Sequence, residues 1–139
     1  MEGAALSYKP MRNLELAKVF YEIAEFLEMQ DIEFKPRAYE KTARVLESLE
    51  KDIGEIYKEG GLKALEAIPG VGKSIALKIE EFIKTNRVKD YELLKKKCPV
   101  DLGALSGIEG LGPRKIKVLY QKLKIRNLKG LEKKKLVTG

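Results

Sequence analysis

Two glycines one residue apart, then a lysine and a serine, carry the strongest chemical signal in this chain: Gly70-Val71-Gly72-Lys73-Ser74. Glycine reaches the left-handed backbone and lets another group approach the main chain closely. Ile75, Ile79 and Phe82 follow at helical spacing and predict a helix from about Lys73 to Thr85. The amino end of such a helix has unpaired N–H groups and the positive end of a dipole, a setting for phosphate. Forty residues later the pattern recurs as Gly110-Leu111-Gly112-Pro113-Arg114-Lys115, with Leu65 and Ile68 matched by Leu105 and Ile108. Each copy sits between two helical patterns. A Gly-x-Gly turn there presents successive N–H groups to one phosphate, and such contacts fix register on a nucleic-acid backbone without reading bases. One copy alone would serve equally to let two helices pack closely; two copies feeding basic helices favour nucleic-acid binding.

Gly72-Lys73-Ser74 also matches the end of a nucleotide-binding phosphate loop. That motif needs a further glycine at the position of Ala67 and a preceding strand. Neither condition is met, so a nucleoside triphosphatase is not expected.

Charge supports the hairpin reading. Residues 1–70 hold ten Lys/Arg and fourteen Asp/Glu, whereas residues 71–139 hold eighteen and seven. The net charge of +7 thus lies wholly in the half that begins at the first hairpin, which points to a polyanionic partner. One cysteine, Cys98, and no histidine make a disulfide framework or zinc site unexpected. No apolar run is long enough to span a membrane, and Met1 to Pro10 has no signal-peptide core. A cytoplasmic, monomeric protein is expected.

The elements that would position the hairpins are all helical. Residues 1–12 are expected to be disordered, with Asn13 capping the first helix. Leu16, Ala17, Phe20, Ile23, Ala24 and Leu27 form its apolar face. Pro36 suits the first turn of a second helix, whose inward face is Ala38, Thr42, Val45, Leu46 and Leu49. Asp52 is expected to cap a third helix, and Gly60-Gly61 to end it. Leu62 to Ala67 make the first arm of the first hairpin. Asn86 stops the second arm, and Asp90 is expected to cap a helix ending in Lys95-Lys96-Lys97. Cys98-Pro99 marks a boundary between a helical domain over 13–97 and a second hairpin subdomain over 98–132. There, Asp101 to Ser106 and the helix from Pro113 form the arms. A further helix is expected to begin at Asn127 to Leu131, and 133–139 form a tail. No alternating strand pattern occurs, so the expected fold is all-α.

Tyr39-Glu40-Lys41-Thr42-Ala43, together with Ile68 to Phe82, resembles the amino-terminal domain of family X DNA polymerases, the polymerase beta group. Ile108 to Leu119 resembles the helix-hairpin-helix that opens their next subdomain. The resemblance covers residues 13–132 in register, and bacterial and archaeal members look closest. It implies binding of gapped, nicked or single-stranded DNA in repair, with the first domain on the 5′-phosphate side. It places Lys35 and Tyr39 near the 5′-phosphate pocket. It makes the hairpin carbonyls a candidate site for Na+ or K+, with no other cofactor in this chain. In some members a lysine of the first domain removes 5′-deoxyribose phosphate through a Schiff base, and motif position makes Lys78 that lysine. The chain departs from strong lyases at Ser74, where they carry lysine, and at Leu77, where they carry an acid. Polymerisation needs metal-binding aspartates in a palm subdomain, and no Asp-x-Asp occurs here. The chain reads as an amino-terminal piece of a longer polymerase, with a stand-alone DNA-binding protein as the alternative. A helical domain that binds an acidic protein partner is the competing reading.

Overall fold

The computed structural model describes residues 10–30, 35–105, 108 and 110–123. The described residues form helices α1 (Met11–Met29), α2 (Lys35–Ser48), α3 (Ile53–Glu66), α4 (Lys73–Thr85), α5 (Lys89–Lys97), α6 (Leu102–Leu105) and α7 (Pro113–Leu123), with no strand among them. The expected all-α fold is what is found. No helix among the described residues is long and apolar enough to cross a membrane. The expectations for residues 1–9, the helix from Asn127 and the tail lie outside the described residues.

Helix α1 is the beam on which the rest is assembled. Its apolar stripe, Leu16, Ala17, Phe20, Ile23, Ala24 and Leu27, is fully buried, as its helical spacing predicts. This stripe packs with Tyr39, Ala43 and Leu46 of α2 and with Ile75, Ala76, Ile79 and Phe82 of α4. Phe20 and Tyr39 meet edge to face, with ring centroids 5.5 Å apart. A second stripe of α1 lies off the first. Phe26 and Met29 are buried against Val100, Leu102, Leu105 and Ile116, so α1 supplies the core under the second hairpin as well. Burying one such large apolar side chain contributes about 1.5–3 kcal/mol, which makes these two contacts a firm anchor.

Two capping expectations are corrected. Helix α1 starts at Met11 after Pro10, not at Asn13, so Met11 and Arg12 are helical. Asn13 is fully buried inside α1 and caps a different helix. Its Oδ1 accepts the Ile53 N–H at 2.9 Å, and its Nδ2 donates to the Lys51 carbonyl at 2.9 Å. Asp52 caps α3 as expected, accepting from the Gly54 N–H at 2.6 Å. Asp90 does not cap α5. Val88 holds that position, and Glu81 of α4 accepts the Lys89 N–H at 3.0 Å instead.

Gly61, with φ +66°, breaks α3 internally, so the segment after it becomes the first arm of the first hairpin. Asn86 closes α4 in the left-handed conformation at φ +63°.

Candidate nucleic-acid interface

The two hairpins have the same main-chain construction. In the first, the Ile68 N–H donates to Leu65 at 3.2 Å, the Val71 N–H to Ile68 at 3.0 Å, and the Ala76 N–H to Gly72 at 2.9 Å. In the second, the Ile108 N–H donates to Leu105 at 3.1 Å, the Leu111 N–H to Ile108 at 3.0 Å, and the Ile116 N–H to Gly112 at 3.0 Å. The first glycine of each pair is left-handed, Gly70 at φ +86° and Gly110 at φ +81°. That conformation is costly for any residue with a Cβ, which explains glycine at these positions.

Gly72 precedes α4 with no side chain capping the helix. The first-turn N–H groups of Lys73, Ser74 and Ile75 are therefore available by helix geometry alone. Val71 and Ile68 turn inward and are buried, while Gly70, Gly72, Lys73 and Ser74 are exposed. Helix α2 braces this turn. The Thr42 hydroxyl, fully buried, donates to the Ala38 carbonyl at 2.9 Å and reaches the Gly70 carbonyl at 3.4 Å. The stem of Lys41 lies beside Gly70, so a Cβ there would sit 3.4 Å from its Cε. The hairpin carbonyls expected to offer a Na+ or K+ site are thus partly engaged, Ile68 by Val71 and Gly70 by Thr42. Each carbonyl keeps a second lone pair, so oxygen donors for an alkali cation remain.

Beside the hairpin a recess of about 390 Å³ opens between α1, α2, α4 and α5. Four residues singled out from the sequence converge there: Lys35 and Tyr39 from α2, Ser74 and Lys78 from α4. Two that the sequence reading assigned elsewhere join them, Asp90 and Lys97 from α5. Leu27, Ile75 and Leu94 give it an apolar wall.

The centre of the recess is the Lys78 ammonium, whose side chain is only 16% exposed. Its Nζ lies 3.1 Å from Asp90 Oδ2 and 3.4 Å from Ser74 Oγ, and Tyr39 lines the same recess. Burial pulls the lysine toward the neutral form, but the Asp90 carboxylate and the Tyr39 oxygen outweigh it and hold its pKa above the ordinary lysine value. Burial likewise raises the Tyr39 phenol, with Lys78 acting against the rise. Attack on a carbonyl calls for a lowered lysine pKa; the recess moves that of Lys78 the other way.

Of the lysines closing α5, Lys95 is held over the Tyr91 ring at 4.4 Å and beside Glu92 at 3.6 Å, which leaves Lys97 to face the recess. In the second hairpin Arg114 and Lys115 are exposed. Burial and the neighbouring Glu40 raise the carboxyl of Glu28 in α1, with Arg114 acting against the rise. Ser106, Gly107 and Glu109 of this hairpin lie outside the described residues.

A left-handed glycine and a helix amino end, built twice on one helical scaffold, define the helix-hairpin-helix class. The chain belongs to it: the helix-hairpin-helix domain model matches residues 11–88. It is also 28% identical over 123 residues to the DNA polymerase/3′-5′ exonuclease PolX of Bacillus subtilis (strain 168), a match covering 88% of this chain. The chain spans about a fifth of that relative's length, 20%. Both findings bear out the family resemblance drawn from the hairpin residues.

Proposed function

We propose that this chain binds DNA without reading its sequence, gripping the 5′-phosphate side of a gap or nick as part of a repair polymerase. The observation that carries this reading is the convergence of Lys35, Lys78 and Lys97 with the open amino end of α4 in one recess. Ammonium groups gathered on one space beside a helix amino end suit a terminal phosphate, and the apolar wall suits the sugar beside it. The second hairpin, through Gly110, Leu111, Gly112, Arg114 and Lys115, would hold a further stretch of backbone. A Na+ or K+ ion on the hairpin carbonyls would add charge at the same contact. Helix-hairpin-helix membership and the likeness to PolX support DNA as the partner and an intracellular setting.

The competing lyase reading needs Lys78 as a neutral amine to attack a carbonyl. Its place in the recess favours that reading, but Asp90 and Tyr39 stabilise the charged form. Borohydride reduction in the presence of incised abasic DNA separates the two: absence of a cross-link at Lys78 supports binding alone.

The test of binding is titration of gapped DNA with and without a 5′-phosphate across a salt series. Tighter binding of the phosphorylated gap, weakening steeply with salt, is expected. Equal affinity for the two DNAs at low salt would overturn the phosphate-pocket reading, and no binding at low salt would leave the acidic-protein partner as the better account.

A further inference from the structure

An ammonium has three N–H donors and no acceptor. In the recess Lys78 already meets oxygen within the chain: it pairs with the Asp90 carboxylate and donates to the Ser74 hydroxyl. Ser74 is neutral. Asp90 carries a charge, and it differs in position as well. The Asp90 side chain is 56% exposed and stands at the open side of a lysine that is itself largely enclosed. An incoming phosphate therefore meets an anion already bound to the cation it would use.

Asp90 sits in the first turn of α5, where an acid suits the helix dipole, as Glu92 also does. It does not cap the helix, a role held by Val88 and by Glu81 from α4. Among the described residues its ion pair is with Lys78. The nearby acid Glu92, by contrast, pairs with Lys95 of its own helix, away from the recess lining.

We infer that Asp90 is an internal anion that occupies the Lys78 phosphate site in free protein and sets how strongly the recess discriminates a 5′-phosphate. Binding exchanges the carboxylate for the ligand's phosphate on Lys78, so the ion pair subtracts from the affinity the site would otherwise have. The arrangement sets specificity: a DNA without a terminal phosphate leaves the ion pair intact, whereas a 5′-phosphate must break it to reach the ammonium. The inference rests on the phosphate-pocket reading above.

The experiment measures Kd for gapped DNA with and without a 5′-phosphate, for the parent chain, Asp90→Asn and Glu92→Gln. Both variants raise net charge by the same amount, and both positions are on the surface of α5, so folding is checked by circular dichroism. The 5′-phosphate preference, the ratio of the two Kd values, is expected to grow about threefold to tenfold in Asp90→Asn, as for one partly exposed charge pair. Glu92→Gln should tighten both DNAs alike and leave the ratio at the parent value. A ratio unchanged in Asp90→Asn, while the parent prefers the 5′-phosphate, overturns the inference and leaves the pocket reading standing. A preference that appears only in Asp90→Asn supports both. No preference in any of the three proteins overturns both.

Discussion

The carboxamide oxygen of Asn13 accepts the main-chain N–H of Ile53 at 2.9 Å, across a sequence separation of 40 residues. The same side chain donates to the Lys51 carbonyl, so one buried residue of α1 fixes the start of α3 and, through it, the approach to the first hairpin. Asn13→Ala strands the buried Ile53 N–H and should cost about 1–3 kcal/mol. In a domain of this size that lowers Tm by about 4–10 °C, read by calorimetry and urea unfolding. A stability within about 0.5 kcal/mol of the parent would mean that the α1–α3 joint is held by packing alone.

Gly70 and Gly72 separate structure from function within one hairpin. Gly70→Ala forces a Cβ onto a residue at φ +86° and against Lys41, so a loss of about 1–2 kcal/mol of stability is expected. Gly72 has an ordinary φ of −89°, and a Cβ there meets nothing within 4 Å. Gly72→Ala should therefore cost about 1 kcal/mol at most, since alanine is a poorer amino-terminal cap. Its new methyl projects beside the open end of α4, and DNA affinity should fall about threefold to tenfold. Comparing melting curves with DNA titrations for the two variants checks this. A Gly72→Ala protein with parental affinity would remove the hairpin from the contact.

The fold and the hairpins were readable for different reasons. The stripe from Leu16 to Leu27 obeys one helical period and faces one core, so periodicity alone exposes it. Phe26 and Met29 sit off that stripe because α1 serves two cores, and a single-face reading has no place for them. The duplicated glycines announce their turns because only glycine is comfortable at Gly70 and Gly110. Capping is a local rule and points Asn13 and Asp90 to the nearest helix start, whereas each acts on an element distant in sequence. In sequence Lys97 is one of three charges at its own helix end, and only the packing of α5 across the recess reveals its second role. Lys35, Tyr39 and Lys78 came from resemblance, and the recess gathers them.

Alkaline pH should unfold this domain earlier than its neutral-pH stability suggests. The pKa of Lys78 is raised in the fold by Asp90 and Tyr39, acting against burial. Burial raises Tyr39 and Tyr91, and burial with the 2.7 Å hydrogen bond to Glu47 pushes Tyr21 up to about 12. In each case the native state holds its proton more tightly than the unfolded chain. Stability is then fully present below the ordinary values of 10.0 for tyrosine and 10.5 for lysine, and is lost as pH rises through the higher folded ones. Urea midpoints should be flat from pH 7 to about 9 and fall beyond about 10. A midpoint that holds steady through pH 11 would show that these groups titrate as they do in the unfolded chain.

Lys78→Ala distinguishes a phosphate ligand from a bystander. If the ammonium contacts the terminal phosphate, the 5′-phosphorylated gap loses about tenfold in affinity, while the unphosphorylated gap changes little. One fewer phosphate contact should also reduce the slope of log K against log salt by about 1 for the phosphorylated DNA. The slope discriminates because a fold defect would weaken both DNAs and leave their ratio unaltered. Asp90 complicates the variant in a predictable way: without Lys78 its carboxylate stands alone at the mouth of the recess and repels the ligand. The double variant Lys78→Ala with Asp90→Asn should therefore bind the phosphorylated gap more tightly than Lys78→Ala alone. It should still fall short of Asp90→Asn, because removing the repulsion does not restore the ammonium. Equal affinities in the two Lys78→Ala backgrounds would place Asp90 outside the reach of the bound phosphate.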